Sequence, residues 1–142
     1  MKRSALEAAI YTQLTGNAAL MAVADAVWIP EAPQADDGEL IGPFPYVVVP
    51  NITLTPWDTD DTLGMQAVVQ VDSYARATPS ASAHALARNV ADLVYGALNR
   101  ATLSITGAHA VDCLHENTSD GWEEPGGTRR FVSLYRVTYD EV

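Results

Sequence analysis

One cysteine, eight basic residues against eighteen acids and no long apolar run are the shortages that constrain this chain of 142 residues. Cys113 alone cannot close an internal disulfide, so the fold does not depend on an oxidising compartment, and assembly in the cytoplasm is expected. No stretch approaches the roughly 20 apolar residues of a membrane-spanning helix, which predicts a soluble protein with no membrane partner. Met1-Lys2-Arg3 has the charge of a signal-peptide start. Glu7, Thr12, Gln13 and Asn17 then interrupt the apolar stretch such a segment requires, so no targeting segment is read.

The shortage of positive charge is uneven. Between Arg3 and Arg76 there is no Lys or Arg, while the same interval holds ten acids, and the formal net charge of the chain is −10. Nucleic-acid binders displace counterions with clustered basic side chains, and here the only adjacent pair past the N-terminus is Arg129-Arg130. A grip on DNA is therefore not expected. The acidity reads either as a solvated surface or as one that repels phosphate and lets DNA pass.

Catalytic signatures are missing too. There is no Gly-x-Ser-x-Gly elbow, phosphate loop or dinucleotide glycine motif. Cys113 and His115 would share one side of a strand, with His109 further along it, and three such ligands could hold zinc. Structural zinc sites bring paired ligand blocks, however, so a buried thiol and surface histidines are the expectation. Asp58-Thr59-Asp60-Asp61 lacks the glycine and terminal glutamate of a helix-loop-helix calcium loop and reads as a solvated turn. Glu123-Glu124 has no burial to raise a carboxyl pKa. No catalytic residue, metal or cofactor is assigned, and the chain is read as a non-enzyme.

What is present is a pattern of strands and helices. With 48% apolar and 18% charged residues, the chain reads as a single domain over residues 1–142. Leu6, Ile10 and Leu14 predict a helix from Ala5 to Leu14, opened by a Ser4/Glu7 capping box and ended by Gly16. Asn17 caps a second, shorter helix through Ala18, Leu20, Met21 and Val23, and Val27-Trp28-Ile29 is a brief extended segment before Pro30. A surface loop from Glu31 to Pro45 follows. Strands are predicted over Tyr46–Thr55, with Pro50 at an edge or bulge, and over Met65–Tyr74, where Met65, Ala67, Val69 and Val71 alternate with Gln66, Gln70 and Asp72. The main helix, capped by Thr78 with Pro79 in its first position, carries the stripe Ala83, Leu86, Val90, Leu93, Val94, Ala97 and ends near Asn99. Two more strands, Ala108–Asn117 and Arg129–Tyr139, flank a polar Gly-rich loop. The order α-α-β-β-α-β-β predicts an α+β fold: a four-stranded, mostly antiparallel sheet with helices packed on one face.

Two tryptophans fall outside this expected core. Trp57 sits beside Asp58, Asp60 and Asp61, and Trp122 beside Glu123 and Glu124, in loops suited to contact anchors. Arg129 and Arg130 could pair with acids of a neighbouring subunit. These nine residues form the candidate subunit and partner interface.

Asn17-Ala18-Ala19-Leu20, Pro33-Gln34, Pro45-Tyr46-Val47-Val48, Val69 to Tyr74, Ala85-x-x-x-Asn89-x-x-x-Leu93 and the final Arg129-Arg130-Phe131-x-x-x-Tyr135-Arg136-Val137 recur in order and spacing. In these the chain resembles the tail-completion proteins of long-tailed bacteriophages and phage-like gene transfer particles, over nearly its whole length. It departs from them in an insert, Ala35 to Gly42, and an extended Trp57 hairpin. The resemblance implies a tail terminator, a typically hexameric ring at the head–tail junction of the virion. That ring caps the tail tube protein, stops its polymerisation and meets the head-completion or connector protein, while DNA passes its lumen unheld. A head-side neck protein, a tube or minor tail protein and a small enzyme are the alternatives.

Overall fold

Leu6, Ile10 and Leu14, spaced four apart, lie buried on one side of α1 (Arg3–Thr15), joined by Ala9. The computed structural model describes residues 3–32, 42–56, 64–123 and 127–141. Arg3 already belongs to the helix and its Nε donates to Glu7 Oε1 at 3.0 Å, so an ion pair one turn apart occupies Glu7 in place of the expected Ser4 capping box. α1 ends at Gly16, where a Cβ would stand 2.9 Å from the Thr12 carbonyl oxygen, so the turn that leaves the helix takes glycine without a shift. Asn17 then caps α2 (Ala18–Met21), its side chain accepting from Leu20 N at 2.9 Å.

The sheet has five strands rather than four. β1 (Val27–Trp28) runs parallel to β2 (Tyr46–Pro56), which pairs antiparallel with β3 (Gly64–Ala75). After α3 (Ala83–Leu98), β4 (Ala108–Glu123) and β5 (Thr128–Glu141) form the second antiparallel pair, and β5 lies beside β3, giving the order β1-β2-β3-β5-β4. The extra strand is the segment read only as extended: two residues long, it carries no alternation to detect, and Val47 N donating to Ala26 O at 3.0 Å fixes it to the sheet. Pro50 falls where the β2–β3 register shifts, between Val48 and Asn51, as its missing donor requires.

The predicted loop after Asn117 is largely strand. β4 continues to Glu123 because each of Asn117 to Glu123 finds a partner on β5, ending with Trp122 opposite Arg129 and Glu123 opposite Thr128. The start of α3 also differs. Thr78 and Ala81 bond to each other across a turn, and Ser82 is the cap, accepting from Ala85 N at 3.1 Å. The buried stripe of α3 rotates accordingly onto Ala83, Ala87, Val90, Ala91, Val94, Ala97 and Leu98, leaving Leu86 and Leu93 half-buried.

Residues of all three helices pack with Val47, Val49, Ile52, Ala67, Val69, Val71, Tyr135, Val137 and Tyr139 in one apolar cluster, so the helices share one face of the sheet. On the other face a small second cluster of Ala32, Phe44, Tyr46, Val48 and Tyr74 contains no helix residue. The Phe44 and Tyr46 rings stack there at 4.8 Å, and the Arg76 guanidinium lies 4.4 Å above the Phe44 ring. The helix-bearing face is thus a continuous core, and the opposite face is covered by described residues at one end only.

Candidate assembly surfaces

Of the nine interface candidates, Trp57, Asp58, Asp60, Asp61 and Glu124 lie outside the described residues. Trp122 and Glu123 are the last residues of β4 rather than parts of a loop. Arg129 and Arg130 are neighbours on β5, so their side chains leave the sheet on opposite faces. Each finds acids within its own chain. Arg129 Nη2 lies 3.6 Å from Asp120 Oδ2 and 3.3 Å from His84 Nδ1, which ties the β4–β5 pair to the first turn of α3. Arg130 Nη1 lies 3.9 Å from Asp72 Oδ2, whose carboxylate also accepts from Gln70 Nε2 at 3.0 Å. Asp72 is 2% exposed, so this pairing compensates a buried charge, and the two arginines hold the hairpin in place whatever else they touch.

The zinc constellation considered from spacing does not assemble. A register shift between His109 and Asp112 turns His109 outward, while Cys113 is buried and His115 half-buried. No group of three metal-ligating side chains occurs among the described residues. Burial pushes the Cys113 thiol from its usual 9.0 up to about 12, and burial together with Cys113 and Tyr95 raises Tyr135 in the same direction. His115 sits between the Tyr95 and Tyr135 rings at 5.2 and 5.3 Å, with Nε2 2.6 Å from Thr118 Oγ1. This cluster packs α3 onto β4.

The surfaces that sequence reading missed are apolar and exposed: Tyr11, Trp28, Tyr95 and Leu114. Tyr11 and Trp28 line a shallow groove of about 420 Å³ between α1 and β1, with Ser4, Glu7, Ala8, Val27 and Ile29. Tyr11 could have been found as an aromatic residue on the polar side of the α1 pattern. Leu114 depends on the strand's neighbours and leaves no such signal. No helix among the described residues is long and apolar enough to cross a membrane.

Among the described residues, the exposed aromatic side chains and the two unlike edge strands are the surfaces available for contact with other proteins, while Arg129 and Arg130 are engaged within the chain. The chain belongs to the family described as tail completion protein gp17, whose profile matches residues 8–140. It is therefore a bacteriophage structural protein of the tail-completion class. Among solved structures it is similar to a chain in "Virion of native gene transfer agent (GTA) particle", with a TM-score of 0.75 and 23% identity. The match covers 95% of this chain and 94% of that one, and at this identity it establishes a shared fold. No curated protein matches the chain.

Proposed function

We propose that this protein is a tail terminator: a ring, hexameric in the simplest case, that caps the tail tube at the head–tail junction and stops its growth. The ring also presents a surface to the head connector. The observation that carries this reading is the family match over residues 8–140. The exposed apolar side chains at separate places on one subunit, Trp28 at the β1 edge and Leu114 on β4 at the other edge, support it. A ring needs two different patches on each subunit, one for each neighbour. The Trp57, Asp58, Asp60 and Asp61 segment, with Trp122, Glu123, Glu124, Arg129 and Arg130, supplies contacts to neighbours and particle partners.

Native mass spectrometry of the purified chain tests the assembly, and six copies in one species is the expected result. Particles carrying Trp122→Ala, or alanine at Asp58, Asp60 and Asp61 together, should show tails of irregular length or tails detached from heads. A strictly monomeric chain would contradict the ring. Particles with normal tails and unattached heads missing a neck ring would assign the protein to the head side.

A further inference from the structure

We infer that, in the ring proposed above and resting on that reading, Arg100 and the exposed end of α3 receive the acidic segment Trp57 to Leu63 of the neighbouring copy. Arg100 stands out by what the other cations do. Among the described residues Arg3, Arg76, Arg129, Arg130 and Arg136 each engage a group of their own chain, whereas Arg88 and Arg100 are exposed with no such partner. Arg100 also holds a left-handed backbone, with φ 62°, where glycine is usual. An arginine at that position, in a chain of net charge −10, points to a use for its side chain.

The strand register sets the level of the two groups. Arg100 N donates to Cys113 O, and Cys113 shares one rung of the sheet with Val137, Ala67 and Leu54, two residues short of Pro56 where β2 ends. Segment 57–63 therefore leaves the sheet about 7 Å from that rung, at roughly 3.4 Å per residue, within reach of an arginine side chain. The two stand at opposite edges. β1 covers β2 only at Val47 and Val48, so the end of β2 beside the segment is an edge among the described residues, and β4 is the other. Copies set edge to edge around a ring, with their strands at a common level, bring segment 57–63 of one against Arg100 of the next. Each copy carries one of each, the unlike pair of patches that a closed ring requires.

Charge and shape match across this contact. Asp58, Asp60 and Asp61 place three acids within four residues, and the surface they meet carries a cation with no carboxylate partner among the described residues. One turn back on the helix, Tyr95 is 47% exposed and Gly96 has open space where a side chain would stand, which leaves an aromatic step for Trp57. Unlike charges facing each other fix which patches meet, because like patches repel. Arg88, in the first half of α3, is the comparison.

The test is the assembly state of the purified full chain, followed by native mass spectrometry as it is diluted. The Arg100→Glu ring is expected to come apart at a concentration about tenfold or more above the parent's, while Arg88→Glu dissociates as the parent does. Asp60→Arg with Asp61→Arg should loosen the ring likewise, and adding Arg100→Glu to that pair should recover it. Arg100→Gly separates contact from folding: its dissociated monomer should unfold no earlier than the parent's, since glycine suits the turn, yet its ring should still be loosened. A ring untouched by Arg100→Glu, loosened equally by Arg88→Glu, or not recovered by the reversed charges overturns the inference. Placement is read directly from Asp60→Cys combined with Arg100→Cys, with the buried Cys113 silent. Mild oxidation should give a ladder of linked copies, and a disulfide closed within one copy overturns the inference by returning the segment to its own chain. Failure of the ring itself shows separately, as a parent chain that is monomeric at every concentration.

Discussion

Leu98 and Leu93 stand five residues apart on the same helix, and they separate two accounts of what α3 contributes. Leu98 is 1% exposed inside the main cluster, whereas Leu93 packs against its margin. Leu98→Ala is expected to cost about 2–5 kcal/mol, through lost burial and the cavity left behind. Leu93→Ala should cost distinctly less, since part of that side chain already touches water. Paired thermal melts check this, and a larger loss at Leu93 would mean the helix is rotated from its place here. Cys113 makes a second prediction. Its pKa is raised on folding, from 9.0 to about 12, so the neutral thiol is favoured by the fold and its contribution is complete below about pH 9. As pH rises towards 12 the unfolded thiol ionises first, and stability should fall with a slope approaching about 1.4 kcal/mol per pH unit. Tyr135 shifts in the same direction and steepens the loss at the alkaline end. Denaturant titrations between pH 7 and 11 would show it, and Cys113→Ala should remove the thiol's share of the slope.

Elements are held by groups at their ends. Ser82 caps α3, so Ser82→Ala should cost about 0.5–2 kcal/mol, while Thr78→Ala, in the preceding turn, should cost less. Equal losses at the two positions, measured by denaturant unfolding, would return the cap to Thr78. At the other end of α3 the chain turns at Arg100, whose φ of 62° is a left-handed conformation usual for glycine. That turn is used. Arg100 N donates to Cys113 O at 2.6 Å and His115 N donates to Asn99 Oδ1 at 3.0 Å, so the helix end covers part of the outer edge of β4. Covering an edge limits unwanted strand pairing.

The whole molecule carries ten more formal negative charges than positive ones, and five of its arginines, Arg3, Arg76, Arg129, Arg130 and Arg136, engage groups of the same chain. The isolated protein should therefore leave duplex DNA unshifted in a gel at about 150 mM salt, where phosphate contacts are already weakened. A tight complex under those conditions would contradict a passive lumen. The sheet is also asymmetric, with a two-residue parallel strand at one edge and a 16-residue strand at the other. Its two edges therefore present different surfaces to neighbours.

Alternation and helical period by themselves determined the α+β class, the two antiparallel pairs, the helix crossing between them and the buried Val69, Val71, Val90 and Val94, because these patterns are local properties of the chain. Pro50 was legible for the same reason: a residue without an N–H cannot serve in a regular ladder. The order and spacing of short motifs likewise indicated the tail-completion family. The fifth strand, the continuation of β4 through a Gly-containing polar stretch and the cap at Ser82 were decided only by tertiary structure. Val27–Trp28 is a strand because β2 offers it hydrogen bonds, and Asn117–Glu123 because β5 does. The partners of Arg129 and Arg130 were not legible: the two could be seen as a basic pair but not as partners of Asp120 and Asp72. Those acids are distant in sequence, and hydrogen-bonded register across the sheet is what brings them to the arginines.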